Sequence, residues 1–219
     1  MEVTNKKSLS EMAYDKIKEM ILHLEIKPGE RIPEERITEI VKCSRTPVRE
    51  ALRKLNEEGL VVSYPGRYSE VAKYSKEDIK KIGELRLAQD LLACQLAIRH
   101  GSNSELSVLK KISEKCRISA EKGNIFERIY YDSMFHLEIT KIGKNQLLLE
   151  NQTKLYMRIH LIQISKYTNI EDSITQISKH KDIIDALYSR DDKKARSLVC
   201  HHLKDFYDID EEIINMYLD

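Results

Sequence analysis

The sequence predicts a mainly α protein: three short helices closed by a β-hairpin, then an all-α six-helix antiparallel bundle. Three observations predict it. Residues 10–58 carry three helical stripes separated by turn residues. Residues 60–74 carry two β-rich runs around Pro65-Gly66-Arg67. From Ser75 onward there is no proline, and six helical stretches are separated by short polar breaks.

Ser10 is placed to cap a first helix, whose apolar positions Ala13, Ile17, Met20, Ile21 and Leu24 repeat with the 3.6-residue period of one helix face. Lys27-Pro28-Gly29-Glu30 reads as a turn, since proline presets φ and glycine permits positive φ. Arg31-Ile32-Pro33 is too short for a helix and reads as a small strand. A second helix follows from about Glu34 to Val41, with Ile37, Ile40 and Val41 inward, and Lys42-Cys43-Ser44 turns the chain. Thr46 before Pro47 is a favoured cap and first-turn pair, so a third helix runs from there to about Glu58. It buries Val48, Ala51, Leu52 and Leu55, and Gly59 ends it. Leu60 to Tyr64 and Tyr68 to Tyr74 read as paired strands. Three helices followed by a hairpin is the order of a winged helix-turn-helix, and its boundary falls at about residue 74. The expected domains are therefore 1–74 and 75–219.

Beyond the boundary, helices are expected near 76–100, 103–122, 125–142, 145–167, 171–188 and 191–215. The breaks at Gly101-Ser102, Lys122-Gly123-Asn124, Gly143-Lys144, Thr168-Asn169 and Arg190-Asp191-Asp192 are short, so neighbouring helices should pack antiparallel.

The chain has 219 residues, 41% hydrophobic and 33% charged, enough apolar material for cores. No stretch approaches the roughly 18 consecutive apolar residues of a spanning helix, so no membrane partner is expected. The opening MEVTNKKSLSEM has no apolar core for export, and the expected location is cytoplasmic. The four cysteines, Cys43, Cys94, Cys116 and Cys200, are isolated, which suits buried thiols rather than a redox pair or a zinc ribbon. Net charge is +1, and residues 1–73 hold 14 Lys and Arg against 13 Asp and Glu. Bulk basicity therefore points to no nucleic acid, and any such case rests on local arrangement.

That arrangement is present in the third helix. Arg45, Arg49 and Arg53 are four residues apart and drift about 40° per step, so they line one edge while the apolar residues line the other. Such a helix can lie in the major groove, where Arg reaches guanine bidentately or pairs with phosphate. Arg45 and Thr46 open the helix, where base edges are met, and Ser44, Thr46 and the helix N-terminus suit a phosphate. The plain alternative is a solvated face in which Glu50 pairs Arg53 or Lys54.

The second domain carries a different constellation. Asp132 and His136 share a helix face with Ile129, Phe135 and Ile139. His180 lies among Ile177, Ile183, Ile184 and Leu187, and His202 among Leu198, Val199 and Phe206. A buried, unpartnered carboxylate is costly, and a divalent metal satisfies one carboxylate and three neutral imidazoles together. Core histidines satisfied by ordinary hydrogen bonds are the competing reading. His201, about 100° from His202, is expected to face solvent. Arg86 and Arg158 are candidates to pair an effector carboxylate, against the alternative of interhelical ion pairs. Tyr156 and His160, four apart, are candidate pocket residues.

Residues 13–64, above all PGERIPEERITEI and SRTPVREALRKLNEEGLV, resemble the winged-helix domain of the GntR family of bacterial regulators. The resemblance implies that Arg36, Ser44, Arg45, Thr46 and Arg49 contact operator DNA and that Gly66 stands at the wing tip. Two departures are visible: Lys42-Cys43 where the family usually has Gly-Val, and Arg67-Tyr68-Ser69-Glu70 without a second wing glycine. Residues 77–219 resemble the FCD effector domain of the FadR branch, through Asp132-Ser133-Met134-Phe135-His136, SKHKDIIDAL around His180 and ARSLVCHHL around His202. Six helices suit the shorter, VanR-like subgroup. The resemblance implies that Asp132, His136, His180 and His202 hold a divalent ion, zinc first and nickel or manganese next, and that a small organic acid is the effector.

The expected function is a ligand-responsive regulator of transcription, a homodimeric repressor on two-fold double-stranded operator DNA, and not an enzyme. Two alternatives stand beside it. In one the metal itself is the signal. In the other the metal activates water in an enzyme, although HExxH, a Walker loop and GxSxG are all missing from the sequence.

Overall fold

The computed structural model describes residues 7–166 and 170–218. The chain divides into two compact units, Met1–Lys73 and Tyr74–Asp219.

The first unit holds α1 (Leu9–Leu22), α2 (Glu34–Val41), α3 (Arg45–Glu57), β1 (Val61–Tyr64) and β2 (Tyr68–Val71). Ser8, not Ser10, caps α1. Ser8 Oγ accepts the Glu11 N–H while the Glu11 carboxylate accepts the Ser8 N–H, a reciprocal box that Ser10 cannot build because its third residue onward is Ala13. Ala13, Ile17, Met20 and Ile21 are buried, but α1 stops before Leu24, which turns the chain at φ 56, and Ile26 fills the core instead. On α2, Ile37 and Val41 face inward, whereas Ile40 is exposed: it lies about 60° from Ile37 on the side away from Val41, at the edge of the buried stripe. The α3 helix buries the four expected residues, Val48, Ala51, Leu52 and Leu55. It starts two residues earlier than Thr46-Pro47 suggested, with Ser44 in the cap position. Pro47 then sits inside the first turn, where its missing N–H leaves no intrahelical bond unmade.

Strands β1 and β2 pair antiparallel, with Val61 opposite Val71 and Tyr64 opposite Tyr68. An isolated bridge joins Arg31 to Glu70, so the Arg31-Ile32-Pro33 segment adds a third edge to the hairpin.

The second unit holds α4 (Lys76–His100), α5 (Asn103–Glu121), α6 (Ile125–Ile142), α7 (Gln146–Lys166), α8 (Ile170–Ser178), α9 (His180–Tyr188), α10 (Asp192–Tyr207) and α11 (Glu211–Leu218). The polar breaks do their capping work: Ser75 with Asp78 and Ser102 with Glu105 form capping boxes, and Asn124 and Asp191 accept first-turn N–H groups of α6 and α10. The fifth and sixth expected stretches are each interrupted. Asp208 adopts the left-handed conformation and separates α10 from α11, while no glycine or proline marks the break between α8 and α9 at Lys179. The break expected at Thr168-Asn169 lies outside the described residues.

The α4 helix packs on α6, α7 and α10, around a core that includes Leu87, Phe135, Ile139, Tyr156, Ile159, Ile183, Leu187 and Leu203. Its approach to α10 depends on Gly83, where an added Cβ would stand 2.3 Å from the Cβ of Tyr207. Each fully buried Leu, Ile or Phe here stabilises by about 1.5–3 kcal/mol. Among the described residues no helix is long and apolar enough to cross a membrane.

Candidate nucleic-acid interface and candidate metal centre

In the first unit, the N-terminal half of α3 and the hairpin present one polar surface. Arg36 on α2, Ser44 at the α3 cap, Arg45 and Thr46 in its first turn, Arg49 one turn on and Gly66 in the hairpin turn are all exposed. The Ser44 side chain makes no capping hydrogen bond, so the first N–H groups of α3 point outward unclaimed by it. Arg53 continues the exposed edge. A groove of about 340 Å³ runs between that edge and the hairpin, lined by Arg49, Arg53 and Asn56 on one side and Tyr64, Gly66 and Arg67 on the other. Gly66 has φ 70, and a Cβ added there would meet nothing within 4 Å, so the tip is open to an approaching surface.

Two features of this face carried no sequence signal. The Arg31 guanidinium stacks 3.9 Å from the Tyr68 ring centre, and Tyr64 OH donates to Glu70 at 3.0 Å, which stiffens the hairpin. The nominated arginines are also each tied to a carboxylate: Arg36 to Glu25 at 3.7 Å, Arg45 to Glu35 at 3.0 Å and Arg49 to Glu34 at 3.6 Å. Glu34 is partly buried and the other partners are solvent-exposed, so the pairs are individually weak.

In the second unit, α6 supplies Asp132 and His136, α9 begins at His180 and α10 supplies His202. One ligand atom from each lies within 4.8 Å of the others, and all four residues are buried. The ring centres of His136, His180 and His202 stand 5.2–5.5 Å apart. Asp132 Oδ1 comes 3.2 Å from His180 Nε2, yet neither atom is in a well-directed hydrogen bond, and His136 Nε2 and His180 Nδ1 likewise lack one. Asp132 Oδ1, His136 Nε2 and both ring nitrogens of His180 are thus buried without proper partners, an arrangement that hydrogen bonding alone does not explain.

Electrostatics favours the ligand-ready forms. Burial opposes the Asp132 charge, but Arg128 and the nearby imidazoles of His180 and His136 outweigh it and hold the carboxyl well below its usual range. Burial pushes His180 down to about 4 against the pull of Asp132. It pushes His202 well below the ordinary value, helped by His180 and His136. Near neutral pH the centre therefore offers one carboxylate and neutral imidazoles at His180 and His202, the protonation states a divalent ion needs. The donor set fits such an ion, and positions would remain open where the ion takes more than four ligands.

A supporting layer surrounds the four. His136 Nδ1 faces Asp90 Oδ2 at 3.2 Å. Gln163 Nε2 donates to Asp132 Oδ2 at 2.8 Å, and Gln176 bonds the His202 main-chain carbonyl. Asp90 is held in turn by Arg86 Nε at 3.2 Å, Gln152 Nε2 at 2.8 Å and Tyr156 OH at 3.1 Å. Sequence reasoning missed Asp90, although a carboxylate four residues after Arg86, between the apolar Leu87 and Leu91, was a readable signal.

The two nominated arginines part company. Arg86 is buried beside the centre, donates to Tyr207 OH at 2.9 Å and keeps a second buried amine, Nη2, without a hydrogen bond. Arg158 is half-buried near Tyr74, two residues and about 200° around α7 from Tyr156, which faces Asp90. Tyr156 and His160 are both buried. His201 is exposed, as expected, with Nδ1 against the Ser197 carbonyl. The three thiols Cys94, Cys116 and Cys200 are buried, and Cys43 is half-buried.

Comparison with known proteins follows the same division. The family described as bacterial regulatory proteins, gntR family, matches residues 9–71, and the FCD domain matches residues 81–205. The HTH-type transcriptional regulator YdhC of Bacillus subtilis (strain 168) is 27% identical over 199 residues, spanning 87% of this chain and 89% of that protein. The HTH-type transcriptional repressor RspR of Escherichia coli (strain K12) is 25% identical over 197 residues, spanning 90% and 86%. Among solved structures, E. coli McbR/YncC superposes with a TM-score of 0.77 over 98% of this chain and all of that one, at 23% identity, a likeness of fold. These relatives are transcription regulators, not enzymes.

Proposed function

Because the chain belongs to the gntR family of bacterial regulatory proteins and carries an FCD domain, we propose that it is a homodimeric repressor whose hold on a two-fold operator is set by a small organic acid. The observation that carries the ligand-responsive reading is the convergence of Asp132, His136, His180 and His202 in a buried centre with unsatisfied donor atoms. These four residues would hold a divalent ion, zinc by the softness of three imidazoles, with nickel or manganese next. When bound, such an ion supplies coordination for a carboxylate. Arg86 would meet the same carboxylate through Nη2, and its burial strengthens that pairing. Arg158 is the second candidate for that role.

Operator contact falls to Arg36, Arg45, Arg49, Ser44, Thr46 and the hairpin tip at Gly66. Their exposure supports the assignment. Two such heads, one per protomer, would read half-sites about one helical turn apart. Effector binding regulates only by favouring one arrangement of the dimer over another.

The test is to purify the protein and analyse it for metals and, by mass spectrometry, for any copurifying acid. Its binding to palindromic promoter duplexes is then measured with and without that acid. Metal at one equivalent per chain together with an acid-dependent change in DNA affinity is expected. DNA affinity that follows free metal alone, with no response to acids, would instead make the metal the signal. No salt-sensitive preference for any duplex would overturn the regulator reading.

A further inference from the structure

We propose that the carboxylates Glu25, Glu34 and Glu35 set how sharply this head separates its operator from random duplex. The inference rests on the operator-binding reading of Arg36, Arg45 and Arg49. It explains an oddity of composition: residues 1–73, the unit assigned to DNA, carry 14 Lys and Arg against 13 Asp and Glu.

The geometry shows where that acidity goes. Glu25 stands at Arg36, Glu35 at Arg45 and Glu34 at Arg49, each on the same unit as the arginine it meets. Non-specific binding comes from Lys and Arg releasing counterions from phosphates, whatever the sequence. An arginine held by a carboxylate must break that pair to serve a phosphate, and it brings the carboxylate's charge close to the duplex. Both effects weaken random contacts.

Operator contact is different. The Glu34 carboxylate approaches Arg49 at Nε, 3.6 Å away, and not at the terminal amines, the fork that guanine O6 and N7 accept. There the pair orients the side chain, and the loss of orientation on removing it offsets the relief of repulsion. Glu34 is the least exposed of the three carboxylates, at 26%, so water screens its pair least.

A second role for Glu34 and Glu35 is evident, because both lie in the first turn of α2, where negative charge favours the helix dipole. That role is read as stability of the unit, whereas discrimination is read as a ratio of affinities.

The experiment compares the full-length wild type with Glu34→Gln/Glu35→Gln and with Glu19→Gln, which removes a carboxylate paired to Lys16 on α1, away from the arginine edge. The operator probe is the duplex that wild type enriches from a randomised pool, and the second probe is a scrambled duplex of equal length and composition. The double variant is expected to bind scrambled duplex about tenfold more tightly, with operator affinity rising less than about threefold. Glu19→Gln should leave the ratio unchanged. An equal rise on both probes, or none on scrambled duplex, overturns the inference and leaves operator binding standing. If wild type enriches no sequence, the operator reading itself fails. Should the double variant not fold, Glu34→Gln alone gives the same comparison with a smaller change, about threefold on scrambled duplex.

Discussion

His136 and Asp90 face each other across the interior of the helical unit, with Nδ1 of the imidazole 3.2 Å from Oδ2 of the carboxylate and both side chains 3% exposed. A proton on Nδ1 directed at Asp90 leaves Nε2 bare, and Nε2 is the atom without a partner beside Asp132, His180 and His202. Asp90 would thus orient His136, a candidate metal ligand, from the side of the ring opposite that bare nitrogen. Asp90→Asn should keep an acceptor near Nδ1 but lose the charge. Metal affinity, measured by competition with a chelator, is expected to fall roughly 10- to 100-fold. Nitrogen NMR of the His136 ring should show mixed tautomers. Unchanged affinity with an unchanged tautomer would remove Asp90 from the role.

His180 is the member of the set with both ring nitrogens lacking a hydrogen bond. His180→Ala should reduce metal content well below one equivalent and abolish the response to acids, with basal DNA binding mostly kept. Chelation of wild type should lower stability by RT ln(1 + [M]/Kd), about 2.7 kcal/mol when the free ion had been at 100 times Kd. The variant should show little of that drop. Equal metal occupancy in variant and wild type would reject the ligand set.

Arg49 lies on the exposed edge of α3, 69% exposed, and supports nothing in the core. Arg49→Ala should therefore leave the thermal unfolding temperature within a degree or so, while operator affinity falls by about 1–3 kcal/mol, a loss of roughly 5- to 150-fold. Filter binding or anisotropy on the enriched duplex checks it. Full affinity in a folded variant would take α3 out of the groove.

Much of this was legible because period and chemistry agreed. The buried stripe of α3 and the inward faces carrying Asp132 and His136 are written in the spacing of apolar residues. Less legible were features set by tertiary contacts. The break at Lys179, which starts a new helix at His180, follows no glycine or proline. The cap of α1 was misplaced because Ser8 and Ser10 are both capping residues, and only the carboxylate at Glu11 decides between them. Asp90 was missed because an acid four residues from Arg86 reads first as a surface pair, and only the flanking Leu87 and Leu91 place it inside.

Lys42 carries a separate lesson. It stands where GntR relatives usually have glycine, and it adopts φ 55 and ψ 52, a left-handed conformation that costs a residue with a Cβ about 1–2 kcal/mol. Lys42→Gly removes that cost but adds freedom to the unfolded chain. The net expectation is a first unit stabilised by about 0.5–1 kcal/mol, read by denaturant unfolding. A destabilised variant would mean that the lysine side chain contributes more than its backbone loses.

Gly83 shows the opposite constraint, because its conformation is ordinary and only its size matters. A Cβ there would stand 2.3 Å from Tyr207 Cβ and 2.5 Å from its Cγ, closer than packed carbon atoms come. Tyr207 cannot swing away cheaply, since it is buried and its hydroxyl accepts from Arg86 Nη1. Gly83→Ala should therefore force α4 and α10 apart, costing about 1–3 kcal/mol in denaturant unfolding. Because α4 carries Arg86 and Asp90 and α10 carries His202, the same variant should also weaken metal binding. A variant as stable as wild type, with metal affinity intact, would show that the helices absorb the methyl group without moving the centre.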